Sequence, residues 1–269
     1  MESLKKYLTN NSECWDGHIH LFDHSGIIYN YIDLPKNITK FVGFMDIDFE
    51  NIDKYEHNMV ISYYDDFINN HYNKDNTILL ATGKDCETMI DIYNKYPNII
   101  KGFGELKCYS YYNDDDKKIE LPYGNLDWIR PLCEFNKALK LPIYIHWYVY
   151  DDDRKNQLDN LLTEYSSIPF VLCHCGLSPF KNFDKQFEYI TSLILKHSNL
   201  YVDISYSAAK YFNTRLNHIS ILKGKCFLGT DLNINCCKSK KYNPYIQMFN
   251  NLSCLKLDYN ATLKKIFKI

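Results

Sequence analysis

The sequence contains no long hydrophobic run and no excess of charge of one sign. No stretch approaches the ~18 consecutive apolar residues that a membrane helix needs, and residues 1–10 lack the apolar centre of a signal peptide. The formal net charge is −2 and the isoelectric point about 6.5, so the bulk electrostatics give no indication of a nucleic-acid partner. We therefore expect a cytoplasmic protein without a membrane partner.

Cysteine pairs and glycine-rich turns are also missing. The chain has 10 cysteines, but no Cys-x-x-Cys pair occurs, and the closest thiols are the adjacent Cys236 and Cys237 and the pair Cys173 and Cys175. Such scattered thiols fit a reduced protein better than a disulfide scaffold. The first predicted strand is not followed by the glycine-rich turn that usually marks a dinucleotide-binding sheet.

The sequence does contain a regular alternation of strand and helix patterns. Short β-branched or aromatic runs predict strands at 14–20, 40–46, 77–82, 99–106, 142–147, 169–174, 200–205 and 226–230. Apolar spacing near 3.6 predicts helices near 59–72 and at 84–96, 126–139, 154–165, 183–197, 208–221, 244–249 and 259–267. Eight such units without a linker indicate an α/β fold, a (β/α)8 TIM barrel with one domain over 1–269. A doubly wound open sheet is the main competitor.

The first strand carries the most informative stretch, which runs from Trp15 to His24 and reads W-D-G-H-I-H-L-F-D-H. Asp16, His18 and His20 are spaced by two, and side chains at this spacing in a strand point the same way. Two imidazoles at one strand end can hold a metal ion. Asp16 could orient one of these histidines or only fix the strand.

Later strands each end in a residue type that can bind a metal. These residues are Glu105 after strand four, where Lys107 shares its face, His146 after strand five, His174 after strand six and Asp231 after strand eight. In barrels of this kind the chemistry lies at the carboxyl ends of the strands. Each residue alone has a structural explanation, such as an ion pair between Glu105 and Lys107 or a helix cap at Asp231. Their joint occurrence favours one metal site.

Imidazole and carboxylate ligands suit zinc, manganese, iron or nickel. At bond lengths of about 2.0–2.2 Å, one ion could be surrounded by His18, His20, His146 and Asp231. Glu105 could be a further ligand or could bridge to a second ion that His174 holds. A bound metal lowers the pKa of a water molecule to roughly 7. Asp231 could then accept the proton, while His174 could polarise or protonate the group under attack.

The order of these motifs resembles the amidohydrolase superfamily of metal-dependent hydrolases, in its amidohydrolase family 2 branch. The matching stretches are Asp16-Gly-His18-Ile-His20, His146, His174-Cys-Gly176, Gly229-Thr-Asp231 and the closing helix from Asn260 to Phe267. The resemblance extends from residue 14 to 267. It implies a distorted barrel with one or two divalent metals.

In this resemblance the buried ion is bound by His18, His20 and Asp231, and His146 and His174 serve as ligands or as the catalytic electrophile. Strand four departs from the pattern, since Glu105 stands where a bridging lysine would be expected. Its Gly-Glu-Leu context resembles the TatD-like deoxyribonucleases, in which the glutamate is a metal ligand. The number of ions therefore stays open.

The main functional hypothesis is a metal-dependent hydrolase acting on a small-molecule amide, ester or lactone. The alternatives are a TatD-like phosphodiesterase, against which the near-neutral charge counts, and a decarboxylase of the same superfamily. A non-enzymatic barrel is disfavoured because every ligand position is filled. The substrate and the oligomeric state stay open.

Smaller signals surround these motifs. Lys107 could hold a carboxylate or phosphate, or lie on the surface. The pocket could be lined by Trp147 and Tyr148, which follow His146 directly. The substrate could be reached from the long loop after strand one by His24, Tyr29 and Tyr31. Arg154 and Arg215 are expected on solvated helix faces. Cys173 and Cys175 are interpreted as small core residues.

Overall fold

The fold is a ring of eight parallel strands. The computed structural model describes residues 14–23, 38–46, 55–108, 111–112, 118–119, 125–179, 181–205, 208, 211–212, 214–231 and 258–269. The strands are β1 (Cys14–Asp23), β2 (Ile38–Asp46), β3 (Thr77–Ala81), β4 (Ile100–Lys107), β5 (Ile143–His146), β6 (Phe170–Leu172), β7 (Leu200–Ile204) and β8 (Cys226–Leu228). They are hydrogen-bonded in chain order, and each strand is parallel to its neighbours. This confirms the barrel and excludes a doubly wound sheet, in which the strand order reverses.

Helices follow most of the strands. Within the described ranges they are α1 (His57–Asn70), α2 (Cys86–Lys95), α3 (Arg130–Asn136), α4 (Asp152–Glu164), α5 (Phe183–Lys196), α6 (Leu216–Ile219) and α7 (Tyr259–Phe267). Side-chain caps set several starts: Asp85 accepts a hydrogen bond from the Thr88 N–H at 2.8 Å, and Asp151 accepts one from the Arg154 N–H at 2.9 Å. None of the described helices has the length and apolarity needed to cross a bilayer.

Short elements complete the described chain. Three 3-10 turns cover Asp127–Ile129, Cys173–Gly176 and Ser220–Leu222, and a small antiparallel pair joins Tyr111–Tyr112 to Lys118–Ile119. The helix predicted at 126–139 is therefore shorter than expected. The helix predicted at 208–221 is represented, among the described residues, by helical positions 208 and 211–212 and by α6 with its following turn. The helix predicted at 244–249 lies outside the described residues.

The core lies inside the ring and between the ring and the helices. Every residue of β3, β5 and β7 is buried, as expected for parallel strands that are covered on both faces. On the outside, α1 buries Val60, Tyr64 and Phe67 at helical spacing. Burial of one such large side chain contributes about 1.5–3 kcal/mol, so the barrel supplies a rigid frame for the strand ends.

The ring closes between β1 and β8. The Asp231 N–H donates a hydrogen bond to the His18 carbonyl at 2.9 Å, and the Thr230 N–H donates one to Asp16 at 3.0 Å. Burial raises the pKa of Asp16 to about 6, against the opposing hydrogen bonds from Thr230 and His18. Gly229 is required here, because a Cβ atom on it would lie 2.5 Å from the His18 Cβ. Asp16 thus joins the two strands through the Thr230 N–H and hydroxyl and the His18 backbone N–H.

The carboxyl end of the chain is fastened to the same strand. The Asn260 side chain accepts a hydrogen bond from the Trp15 N–H at 3.1 Å, and Asp258 caps α7 through the Ala261 N–H at 2.9 Å. The asparagine of the predicted closing helix therefore has a structural task, since it holds α7 against β1.

Arg154 corrects one expectation from the sequence. It is 6% exposed, and its guanidinium group lies 4.3 Å from the centre of the Trp147 ring and 4.8 Å from that of Tyr150. The Trp147 Nε1–H also donates a hydrogen bond to the Arg154 carbonyl at 3.1 Å. The planar cation is thus packed between aromatic rings, whereas Arg215 stays near the surface beside Asp184.

Candidate metal centre

The structure gathers all six predicted ligand residues at the carboxyl ends of the strands. They are His18 and His20 in β1, Glu105 in β4, His146 at the end of β5, His174 after β6 and Asp231 after β8. The first five residues are buried, and the Asp231 side chain is 15% exposed. One polar cluster therefore lies inside the mouth of the barrel.

The first half of the cluster is formed by three residues. Asp231 Oδ1 lies 3.3 Å from His18 Nε2 and 3.3 Å from His20 Nε2. One potential ligand atom from each of these residues lies within 4.8 Å of the others. Ligands of one zinc ion sit about 2.0–2.2 Å from it, so they can be separated by about twice that length. The three side chains therefore match the spacing that one ion requires.

Glu105 organises the second half of the cluster. Its Oε1 atom lies 2.8 Å from His146 Nδ1 and 3.3 Å from His174 Nε2. Ligand atoms of His18, Glu105 and His174 also lie within 4.8 Å of one another. Because His18 belongs to both groups of three, the geometry is compatible with a single ion and with two neighbouring ions.

The carboxylates of the cluster are held in their charged form. Burial opposes ionisation of Glu105, but the adjacent His146 and His174 rings hold the pKa of this carboxyl well below its usual value. Burial likewise opposes ionisation of Asp231, whose pKa is kept far below its usual range by His174, His18 and His20. Buried carboxylates of this kind attract a cation strongly.

The histidines respond to the same charges in different ways. Burial would lower the pKa of His18, but the charge of Asp203 raises it well above its usual value. Burial would also lower the pKa of His174, but the charge of Asp231 raises it. His146 differs, because burial lowers its pKa to about 4 despite the attraction of Glu105. Its ring is therefore neutral at pH 7, as a metal-binding imidazole must be.

Two buried atoms support a metal at this position. Within the described parts of the chain, His18 Nε2 and Glu105 Oε1 make no hydrogen bond of acceptable geometry. A buried polar atom without a hydrogen bond costs about 1–3 kcal/mol, and coordination to an ion removes that cost. The nitrogen and oxygen donors present here suit a divalent zinc or manganese ion.

The backbone is unusual at two of the ligand positions. His174 and Asp231 have φ angles of 52° and 55°, in the left-handed region that residues other than glycine seldom adopt. Each such conformation costs of order 1–3 kcal/mol and concentrates at functional sites. At His174 the chain leaves β6 in a tight turn, and at Asp231 the hydrogen bond to the His18 carbonyl fixes the backbone.

Three further polar residues belong to the site and were missed from the sequence. Asp203 is fully buried and contacts His18 Nδ1 at 2.7 Å, Ser205 contacts His174 Nδ1 at 2.8 Å, and Asp46 Oδ1 lies 3.7 Å from His20 Nδ1. Asp203 and Ser205 share a spacing of two at the end of β7, but the histidines that give them a role come from β1 and from the turn after β6.

The smaller sequence signals are partly placed. The pKa of His146 is lowered by burial, by the charge of His174 and by the Lys107 ammonium group. The Tyr148 ring packs edge-on against His146, with the ring centres 4.9 Å apart. Trp147 is buried. His24, Tyr29 and Tyr31 lie outside the described residues.

The two cysteines beside His174 are buried, as predicted for core residues. Burial raises the pKa of both thiols well above the usual value. A ligand atom of Cys173 nevertheless lies within 4.8 Å of those of His18 and Asp203, so this thiol borders the site as an uncharged neighbour.

Replacing Gly229 by alanine is expected to weaken metal binding. The new methyl group would lie 2.5 Å from the His18 Cβ, which forces β1 and β8 apart and separates His18 from Asp231. Overpacking of this kind costs about 1–3 kcal/mol. The measurement is zinc affinity by competition with a chromophoric chelator. The matched control is Gly224→Ala before the same strand, where a Cβ meets no atom within 4 Å but φ is 75°. It should lose stability only; equal zinc affinity in both variants would contradict the prediction.

No protein-family model and no curated protein matches the sequence. Several solved structures share its architecture. A zinc-bound amidohydrolase from Burkholderia multivorans aligns with a TM-score of 0.62 over 96% of this chain and 100% of that chain, at 9% identity. A dihydroorotase aligns with a TM-score of 0.60 over 95% and 69%, at 12% identity. The 2,6-dihydroxybenzoate decarboxylase from Rhizobium aligns with a TM-score of 0.53 over 95% and 99%, at 12% identity. The chain therefore shares the barrel fold of these proteins.

Proposed function

We propose that this protein is a metal-dependent hydrolase of the amidohydrolase superfamily that acts on a small-molecule amide, ester or lactone. The observation that carries the proposal is the buried group of His18, His20 and Asp231, whose ligand atoms lie within 4.8 Å of one another. Zinc is the first choice of metal because the donors are imidazole and carboxylate. A structural neighbour from Burkholderia multivorans contains zinc, and one from Polaromonas contains manganese.

In this proposal His18, His20 and Asp231 hold the first ion. Glu105 either joins this ion or bridges to a second ion that His174 holds, since its Oε1 lies 3.3 Å from His174 Nε2. The neutral His146 ring stands beside Glu105 at 2.8 Å and supplies a further nitrogen ligand.

When bound, the metal would acidify a water molecule and polarise the carbonyl group under attack. The protein's own residues handle the proton. Asp231 has the most exposed side chain of the first group, so it would accept the proton released in the attack and return it to the leaving group. The Phe44 ring packs edge-on at 4.9 Å from His18 and 5.0 Å from His20. This apolar wall keeps bulk water from the ligand side of the cluster.

The decarboxylase is the second candidate, because two structural neighbours are decarboxylases of dihydroxybenzoic acids. A TatD-like phosphodiesterase remains an alternative, because the sequence around Glu105 resembles that of the metal-binding glutamate in those enzymes. We place the reaction in the cytoplasm, which agrees with the free, buried state of the described cysteines at positions 86, 108, 133, 173, 175 and 226.

Metal analysis followed by substrate panels tests the proposal. The purified protein, reconstituted with zinc, should contain at least about one ion per chain, and it should hydrolyse members of an ester, amide or lactone panel. A chelator should remove this activity and added zinc should restore it. Turnover confined to carboxylic acids would favour the decarboxylase, and turnover confined to phosphodiesters would favour the nuclease. A chain that binds no metal and gains no activity from it would overturn all three.

A further inference from the structure

One buried carboxylate contacts two of the histidines in the cluster. Asp203 lies at the end of β7 and is fully buried. Its Oδ2 atom accepts a hydrogen bond from His18 Nδ1 at 2.7 Å. Its Oδ1 atom accepts one from the His174 backbone N–H at 2.9 Å and a second, short one from the Ser205 hydroxyl. Three donors from three elements thus converge on one side chain that cannot itself bind the substrate.

The contact with His18 determines where the proton of that ring sits. A carboxylate can only accept hydrogen bonds, so the His18 Nδ1 atom must carry a hydrogen and donate it. The two donors on Oδ1, the His174 N–H and the Ser205 hydroxyl, are contacts that a carboxylate accepts. A neutral imidazole has one ring hydrogen. In the neutral ring that metal binding requires, the Nε2 atom of His18, 3.3 Å from Asp231 Oδ1, therefore presents its lone pair.

Ser205 fixes the position of the ring hydrogen of His174 in the same way. The Ser205 hydroxyl has a single hydrogen, and it donates this hydrogen to Asp203 Oδ1. The 2.8 Å contact between Ser205 Oγ and His174 Nδ1 is then a hydrogen bond in which the ring nitrogen donates. The lone pair of a neutral His174 ring is consequently on Nε2, 3.3 Å from Glu105 Oε1.

We propose that Asp203 is a positioning residue that fixes the tautomers of His18 and His174 together, so that both Nε2 lone pairs face the ligand cluster. This inference rests on the proposed metal site. It assigns His174 to metal binding and not to protonation of the leaving group, because its ring hydrogen is donated to Ser205. Outer carboxylates of this kind orient metal-binding histidines and increase their basicity.

The variant Asp203→Asn reverses the direction of the hydrogen bond to His18 Nδ1 while keeping the shape of the side chain. The amide oxygen stays on the side with two donors, the His174 N–H and the Ser205 hydroxyl, and the amide NH2 group then faces His18 Nδ1. His18 must accept at Nδ1, so its hydrogen moves to Nε2 and blocks the lone pair. Loss of such a partner typically weakens metal binding by about 10–100-fold.

The test combines zinc affinity, from competition with a chromophoric chelator, and nitrogen NMR of the zinc-loaded protein labelled at histidine. The wild-type protein should show zinc on Nε2 and hydrogen on Nδ1 of both His18 and His174, and Asp203→Asn should bind zinc about 10–100-fold more weakly. The matched control is Asp159→Asn, an aspartate on α4 that contacts the His197 ring at 2.5 Å outside the ligand cluster, and its zinc affinity should equal that of the wild type.

Ser205→Ala provides a second route if Asp203→Asn does not fold, since it should weaken zinc binding through His174 alone. Zinc on Nδ1 of either ring, or wild-type affinity in a folded Asp203→Asn or Ser205→Ala protein, would overturn the inference while leaving the proposed function intact. A wild-type protein that binds no zinc would instead refute the proposed function.

Discussion

Replacement of both His18 and His20 by alanine is expected to abolish zinc binding. These rings supply two of the three ligand atoms of the first group, and Asp231 supplies the third. His18 is also shared with Glu105 and His174. With both rings removed, Asp231 is left without the imidazoles that complete the first group, and the second group loses His18. Zinc content after dialysis, measured by elemental analysis, should fall from about one ion per chain to background.

The control for this double change is a second pair of histidines. His57 and His71 lie at the two ends of α1, where His57 is 31% exposed and His71 is exposed. The variant with both replaced by alanine should retain the wild-type zinc content. Circular dichroism should show the same helix content for all three proteins. Wild-type zinc content in the His18 and His20 variant would place the ion elsewhere.

Asp231→Asn is expected to lose turnover and to keep part of its metal. The amide oxygen can still coordinate an ion, but it cannot accept the proton that the ionised carboxylate takes up. General-base catalysis contributes about 10²–10⁴-fold, so kcat on the best substrate of the hydrolase panel should fall by at least about 100-fold. Zinc content is measured on the same sample.

Asp258→Asn is the matched control for this change. Asp258 is exposed and caps α7, far along the chain from the ligand strands, and asparagine is an equally good cap residue. This variant should retain wild-type kcat. Near-normal turnover by Asp231→Asn would show that another group accepts the proton.

Much of the fold is readable from the sequence because a parallel barrel imposes a simple pattern. Its strands are buried on both faces, so they appear as short apolar runs such as 142–147, and the structure places β5 at Ile143–His146. The predicted helix at 126–139 was too long for a physical reason. Pro131 lies in the first turn of α3, where a missing N–H is tolerated, and the preceding residues form a 3-10 turn instead.

The site was predictable only where ligand-type residues stand alone at strand ends. His146 and Asp231 follow apolar runs and are conspicuous for this reason. Asp203 sits between Val202 and Ile204 inside a fully buried strand, so its role depends on the His18 ring that it meets from the opposite part of the chain.

Arg154 shows the converse limitation. In the sequence it belongs to a charged helix, and its burial results from Trp147 and Tyr150, which only the folded chain places against it. Periodicity indicates which face of a helix is apolar, but it does not indicate that a cation will be enclosed by aromatic rings.

The most direct test of the metal centre is anomalous diffraction at the zinc absorption edge from crystals soaked in zinc chloride. The structure predicts a peak inside the barrel mouth, about 2.0–2.2 Å from His18 Nε2, a ring nitrogen of His20 and a carboxylate oxygen of Asp231. The same map shows whether Glu105 and His174 contact this ion, a second ion or neither. An empty cluster in crystals that bind zinc at other positions would contradict the proposed metal centre.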